Sequence, residues 1–111
     1  MKFGLKDYQI EEMQMVFASF PQVEKVILYG SRAKGNYKPA SDIDLTLVGA
    51  DIDLTMQYRI ETQLDDLMLP YTIDLSILRQ ISNPDLVDHI NRVRQVFYER
   101  ATTEAASSKV V

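Results

Sequence analysis

A chain of 111 residues, 46% hydrophobic and 25% charged with no cysteine, has the composition of one small globular domain. Such a domain buries a core without disulfides but is too short for two independent substrate-binding lobes. The formal net charge of −4 argues against direct nucleic-acid binding, which needs a basic face. No apolar run approaches the roughly 20 residues that cross a bilayer, and Met1 to Lys6 lacks the apolar core of a secretory signal; a soluble cytoplasmic protein is expected.

In chain order, Asp7 is read as the cap of a first helix whose apolar residues Ile10, Met13, Phe17 and Phe20 follow helical spacing, with Pro21 closing it. Val23 to Tyr29 reads as a strand, Ser31 to Lys34 as a short helical stretch, and Gly35, Asn36 and Pro39 as loop. Asp42 to Val48 is the second strand, ending in the turn Gly49-Ala50-Asp51. A helix capped by Asp51 or Asp53 carries Met56, Ile60, Leu64, Leu67 and Met68 on one face and stops at Pro70. Thr72 to Leu78 forms the third strand. Ser82-Asn83-Pro84-Asp85 starts a last helix, buried through Leu86, Val87, Ile90 and Val93, and Val96 to Tyr98 is a final extended piece. The fold class is therefore α/β (α+β): a small mixed sheet of three to four strands flanked by about four helices over residues 1–100. Residues 101–111, poor in apolar side chains, read as a disordered tail.

The chemistry concentrates at Gly30-Ser31 and Asp42-Ile43-Asp44. Residues i and i+2 of a strand share a face about 6.7 Å apart, so Asp42 and Asp44 point the same way. Two such carboxylates can serve metal ions about 3.5 to 4 Å apart. Ile43-Asp44-Leu45-Thr46-Leu47-Val48 is echoed in chemical type by Ile73-Asp74-Leu75-Ser76-Ile77-Leu78. If the two strands pair in that register, Asp74 joins Asp44 and three carboxylates converge. Like charges 4 Å apart repel by roughly 4 kcal/mol at an effective dielectric near 20, so such a cluster needs neutralising. Hard oxygen ligands with room for water and phosphate suit two Mg²⁺ ions, with Mn²⁺ the alternative. Gly30 lets backbone approach phosphates closely, Ser31 adds a hydroxyl, and Arg32 and Lys34 bring cations to a polyphosphate. Lys38 lies in the same loop and reads equally as a solvated charge.

Leu28-Tyr29-Gly30-Ser31-Arg32-Ala33-Lys34-Gly35, followed by Ser41-Asp42-Ile43-Asp44-Leu45, resembles the signature of the DNA polymerase β-like nucleotidyltransferase superfamily. More narrowly, the first hundred residues resemble the minimal nucleotidyltransferases (MNT) that act as antitoxins beside HEPN-domain toxins. The resemblance implies a polymerase β palm-like fold, Asp42, Asp44 and Asp74 as metal-binding and catalytic carboxylates, and Asp74 assisting deprotonation of the acceptor. It also implies Gly30 and Ser31 as the triphosphate-binding turn. The implied activity is Mg²⁺-dependent transfer of AMP from ATP to a tyrosine of a HEPN toxin, within a type VII toxin–antitoxin hetero-oligomer.

Blander readings stand beside these. Asp-x-Asp is common on solvent-facing strands, and Gly-Ser is usually a plain turn; their combination with Asp74 is what points to a site. Gly30 to Gly35 is no Walker loop, lacking its spacing and the following Lys-Ser/Thr. Tyr29 is expected to pack beneath the turn, Ser41 to orient the strand entrance or touch substrate, and His89, the only histidine, to be a partly buried helix residue. Competing functions are a non-catalytic antitoxin that occludes its partner, transfer to a small molecule, and, ranked last, a glycosyltransferase metal motif. The shortness of the chain favours an acceptor on another protein.

Overall fold

Alternating apolar residues build the sheet, and their parity separates a dry face from a polar one. In the computed structural model, which describes residues 1–101, the strands are β1 (Lys25–Tyr29), β2 (Ile43–Val48), β3 (Ile73–Ile77) and β4 (Gln95–Glu99). They form one mixed sheet in the order β3-β2-β1-β4, with β1 antiparallel to both β2 and β4 and β2 parallel to β3. The helices are α1 (Asp7–Ala18), α2 (Gly30–Lys34), α3 (Leu54–Asp65) and α4 (Pro84–Val93). This is the α+β architecture, a four-stranded mixed sheet with four helices, that the residues led one to expect.

Val26, Leu28, Ile43, Leu45, Leu47, Leu75 and Ile77 face one side of the sheet, where α1 and α3 cover them through Met13, Phe17, Ile60 and Leu64. The parallel β2–β3 pair requires a crossover, and α3 supplies it. Asp53 caps α3, its carboxylate accepting from the Met56 N–H at 2.8 Å. Asn83 does the same for α4 at the Asp85 N–H, with Pro84 following as the first helical residue.

The opposite side is covered only in part. There α4 lays Ile90 on Ile27 and Tyr29, with Val48, Leu78, Leu86 and Val93 around them. The rest of that face carries Asp44, Thr46, Asp74 and Ser76, which places the polar site at the end of the sheet that α4 leaves open.

Several boundaries differ from the sequence reading. Asp7 is the first residue of α1 rather than its cap; Lys6 holds that position, and the Gln9 side chain accepts from its N–H at 3.0 Å. Helix α3 ends at Asp65, five residues before Pro70, because Met68 takes a left-handed conformation (φ 57°). Residues Leu78–Gln80, expected partly as strand, form one tight helical turn. The last extended piece is a full edge strand with a bulge: Val26 pairs with Tyr98 but Ile27 with Val96. The extra residue turns Phe97 into the core alongside Tyr98, both rings lying about 6 Å from that of Phe17. Of the tail expected over residues 101–111, residues 102–111 lie outside the described residues. Among the described residues no helix is long and apolar enough to cross a membrane.

Candidate active site

Strand β1 ends at Tyr29, and the chain turns at once into α2. Gly30 makes the turn with φ +75°, a conformation costly to any residue with a Cβ. Space matters there as much as torsion: a Cβ on Gly30 would run into the Asp44 carboxylate, whose Oδ2 lies against it and whose Cγ would be 3.2 Å away. The turn and the carboxylate are thus in direct contact.

Asp44 is the register partner of Tyr29 on β1 and of Asp74 on β3. The echo between the two sequence segments is therefore a physical pairing, Ile43 with Ile73 through Leu47 with Ile77. Neighbouring strands lie about 4.8 Å apart, so Asp44 and Asp74 stand side by side, while Asp42, expected within the strand, falls just before β2 and still acts on Asp44 through its charge. Asp44 is half-buried and the other two are exposed. Burial first, then the charges of Asp74 and Asp42, push the Asp44 carboxyl up to about 6.

None of the ion pairs among the described residues involves these three aspartates. Their negative charge is therefore uncompensated by the protein, and their hard oxygen donors suit a divalent cation. Among the described residues no three His, Cys, Asp or Glu side chains are arranged to hold one ion, so the expected convergence of three carboxylates is not a preformed cage. The set instead fits a Mg²⁺-type ion taking one or two carboxylates and completing its octahedron with water and substrate phosphate oxygens.

Beneath the carboxylates lies a hydroxyl layer that the sequence reading did not assign. Ser76 Oγ donates to Thr46 Oγ1 at 2.8 Å, and Thr46 is fully buried. Near them the Tyr29 phenol is raised above its ordinary pKa, by burial first, with Ser76 pulling it down and Asp74 and Asp44 pushing upward again. Thr46 and Ser76 occupy the same place in the two echoed segments, so the echo carried the signal for this pair. His89 had no such signal: 59 positions after Gly30, its Nε2 accepts the Gly30 N–H at 3.3 Å.

Arg32 requires a correction. Expected against phosphate, it is 2% exposed. Its guanidinium donates to the carbonyls of Phe3 (2.9 Å), Pro39 (3.1 Å) and Ser41 (2.9 and 3.1 Å) and lies 4.9 Å from the Tyr71 ring centroid. Its donors are committed to tying the loop of residues 35–41 to the amino-terminal segment. Ser41 belongs to that closure, its Oγ accepting from the Lys38 N–H at 2.8 Å. Lys34, in the last turn of α2, is exposed, as is Lys38. Ser31 follows Gly30 in the first turn of α2 and is half-exposed.

Residues 11–103 match the sequence profile of the family described as polymerase beta, nucleotidyltransferase. Among solved structures, the fold is similar to a toxin–antitoxin crystallised with AMP-PNP, at TM-score 0.65 and 19% identity over 96% of this chain and 83% of that one. A tri-AMPylated Shewanella oneidensis HEPN toxin in complex with MNT antitoxin gives TM-score 0.64 and 15% identity over 92% of this chain and 79% of the other. A putative nucleotidyltransferase from Sulfolobus solfataricus gives 0.52 and 20%, covering 92% of both chains. No curated protein sequence matches significantly.

Proposed function

Because the chain belongs to the polymerase beta nucleotidyltransferase family, we propose that it transfers AMP from ATP to a tyrosine hydroxyl of a HEPN toxin, as the antitoxin of the pair. The observation that carries this reading is the side-by-side register of Asp44 and Asp74 next to the Gly30-Ser31 turn. The toxin and acceptor assignments draw support from the fold's likeness to a toxin–antitoxin with AMP-PNP and to an MNT antitoxin in complex with an AMPylated HEPN toxin.

On this reading the turn holds the triphosphate through backbone N–H groups and the Ser31 hydroxyl, with Lys34 at hand for phosphate charge. Asp42 and Asp44 would hold the divalent ions, with Asp74 completing the set. When bound, such ions offset the carboxylate charge and stabilise the entering and leaving oxygens. Asp74, exposed beside Asp44, takes the proton of the acceptor hydroxyl. That oxygen bonds to the α-phosphorus as the bond to the β-phosphate bridging oxygen breaks, and pyrophosphate leaves.

The test is incubation of the protein with labelled ATP, Mg²⁺ and its HEPN partner, in parallel with Asp44→Asn. Label on a partner tyrosine with the wild type, reduced by about 10³-fold in the variant, is expected. No label with the wild type overturns the reading, and an Asp44→Asn protein that still protects cells from the toxin makes the protein an occluding antitoxin.

A further inference from the structure

We propose that His89 is a positioning residue for the Gly30-Ser31 turn, acting through Gly30 on the phosphate site and on Asp44. The inference rests on the nucleotidyltransferase reading of that site.

Gly30 is the first residue past the β1–β2 ladder, whose last pair is Tyr29 with Asp44. Its N–H finds its acceptor on another element, the imidazole Nε2 of His89 on α4. The imidazole is held from a second side, its ring meeting that of Tyr29 edge-on at 6.2 Å and 79°. The helix beneath it is anchored by Ile90, fully buried against Ile27 and Tyr29. A ring fixed by packing presents its nitrogen at a set place, so the Gly30 N–H is fixed as well.

The consequence passes directly to the chemistry, because Gly30 touches the Asp44 carboxylate. A turn released from His89 is free to shift against Asp44 and to re-aim the Ser31 N–H and hydroxyl that follow. His89 itself is no catalytic residue, since the bond it makes is to the backbone of the turn. An imidazole nitrogen that accepts a hydrogen bond carries no proton, so the ring proton sits on Nδ1. Glutamine at this position keeps an acceptor oxygen, whereas phenylalanine keeps the ring edge against Tyr29 and offers none.

The experiment compares wild type, His89→Phe and His89→Gln by calorimetric titration of the full chain with MgATP, and by hydrogen exchange of the Gly30 amide. His89→Phe is expected to weaken MgATP binding by about fivefold, the equivalent of one ordinary neutral hydrogen bond, and to lose protection at Gly30. His89→Gln restores both. A folded His89→Phe with wild-type affinity, or a glutamine variant no better than phenylalanine, overturns the inference. If the wild type fails to bind MgATP, the nucleotidyltransferase reading falls instead. Exchange at Gly30 in the two variants then still decides whether His89 holds the turn.

Discussion

Asp44 is where burial and charge meet most sharply. Its carboxyl titrates near 6 in the fold against 3.8 unperturbed, so the folded chain holds this proton more tightly than the unfolded one. Its contribution to stability is full below the unfolded value and is lost as pH rises through about 6. The ligand-free protein is therefore expected to lose stability between pH 4 and 6 relative to Asp44→Asn, and to be the less stable of the two at pH 7. Urea titrations of both proteins across that range measure the difference, and parallel curves would contradict it. Gly30 makes a separate prediction. Gly30→Ala forces a Cβ into a left-handed conformation, costing about 1–2 kcal/mol. It also pushes a flexible carboxylate aside rather than backbone, so the protein stays folded while nucleotide transfer falls by about 100-fold or more. Circular dichroism beside the transfer assay separates the two effects.

Among the elements, β2 and β3 were the most legible, because their period-2 pattern names the buried face and their shared chemical sequence gives the register. Helices α3 and α4 were legible at their starts, where Asp53 and Asn83 cap, and less so at the end of α3, where a left-handed Met68 acts before Pro70. The short α2 and the loop after it were legible as a site but misread in detail. Arg32 sits in a stretch that invites phosphate, yet its guanidinium makes four hydrogen bonds to three carbonyls brought together by the fold. Arg32→Lys keeps the charge but cannot span those carbonyls, and a loss of about 2–4 kcal/mol is expected by chemical denaturation. A variant of wild-type stability with a raised KM for ATP would return Arg32 to the phosphate.

For the molecule as a whole, a sheet packed on one face and half-open on the other concentrates uncompensated negative charge at one end, which ligand binding should relieve. MgATP at a hundredfold excess over its Kd should add about 2.7 kcal/mol of stability, raising Tm by about 10 °C or more. Asp44→Asn should abolish the rise, and an unchanged wild-type Tm would count against a nucleotide site. The sequence by itself determined the class of fold, the turn beside Asp42 and Asp44, and the echo that makes a pairing of Asp44 with Asp74 conceivable, because strand periodicity and local spacing are properties of neighbouring residues; that β2 and β3 do pair in that register was decided by the fold. Only the tertiary structure decided that Arg32 is a buried tie, that Thr46 and Ser76 join by a hydrogen bond beside the carboxylates, and that His89 reaches the Gly30 N–H. Those contacts depend on the path the chain takes and not on local spacing, and a side chain's partners are set by what the fold brings beside it.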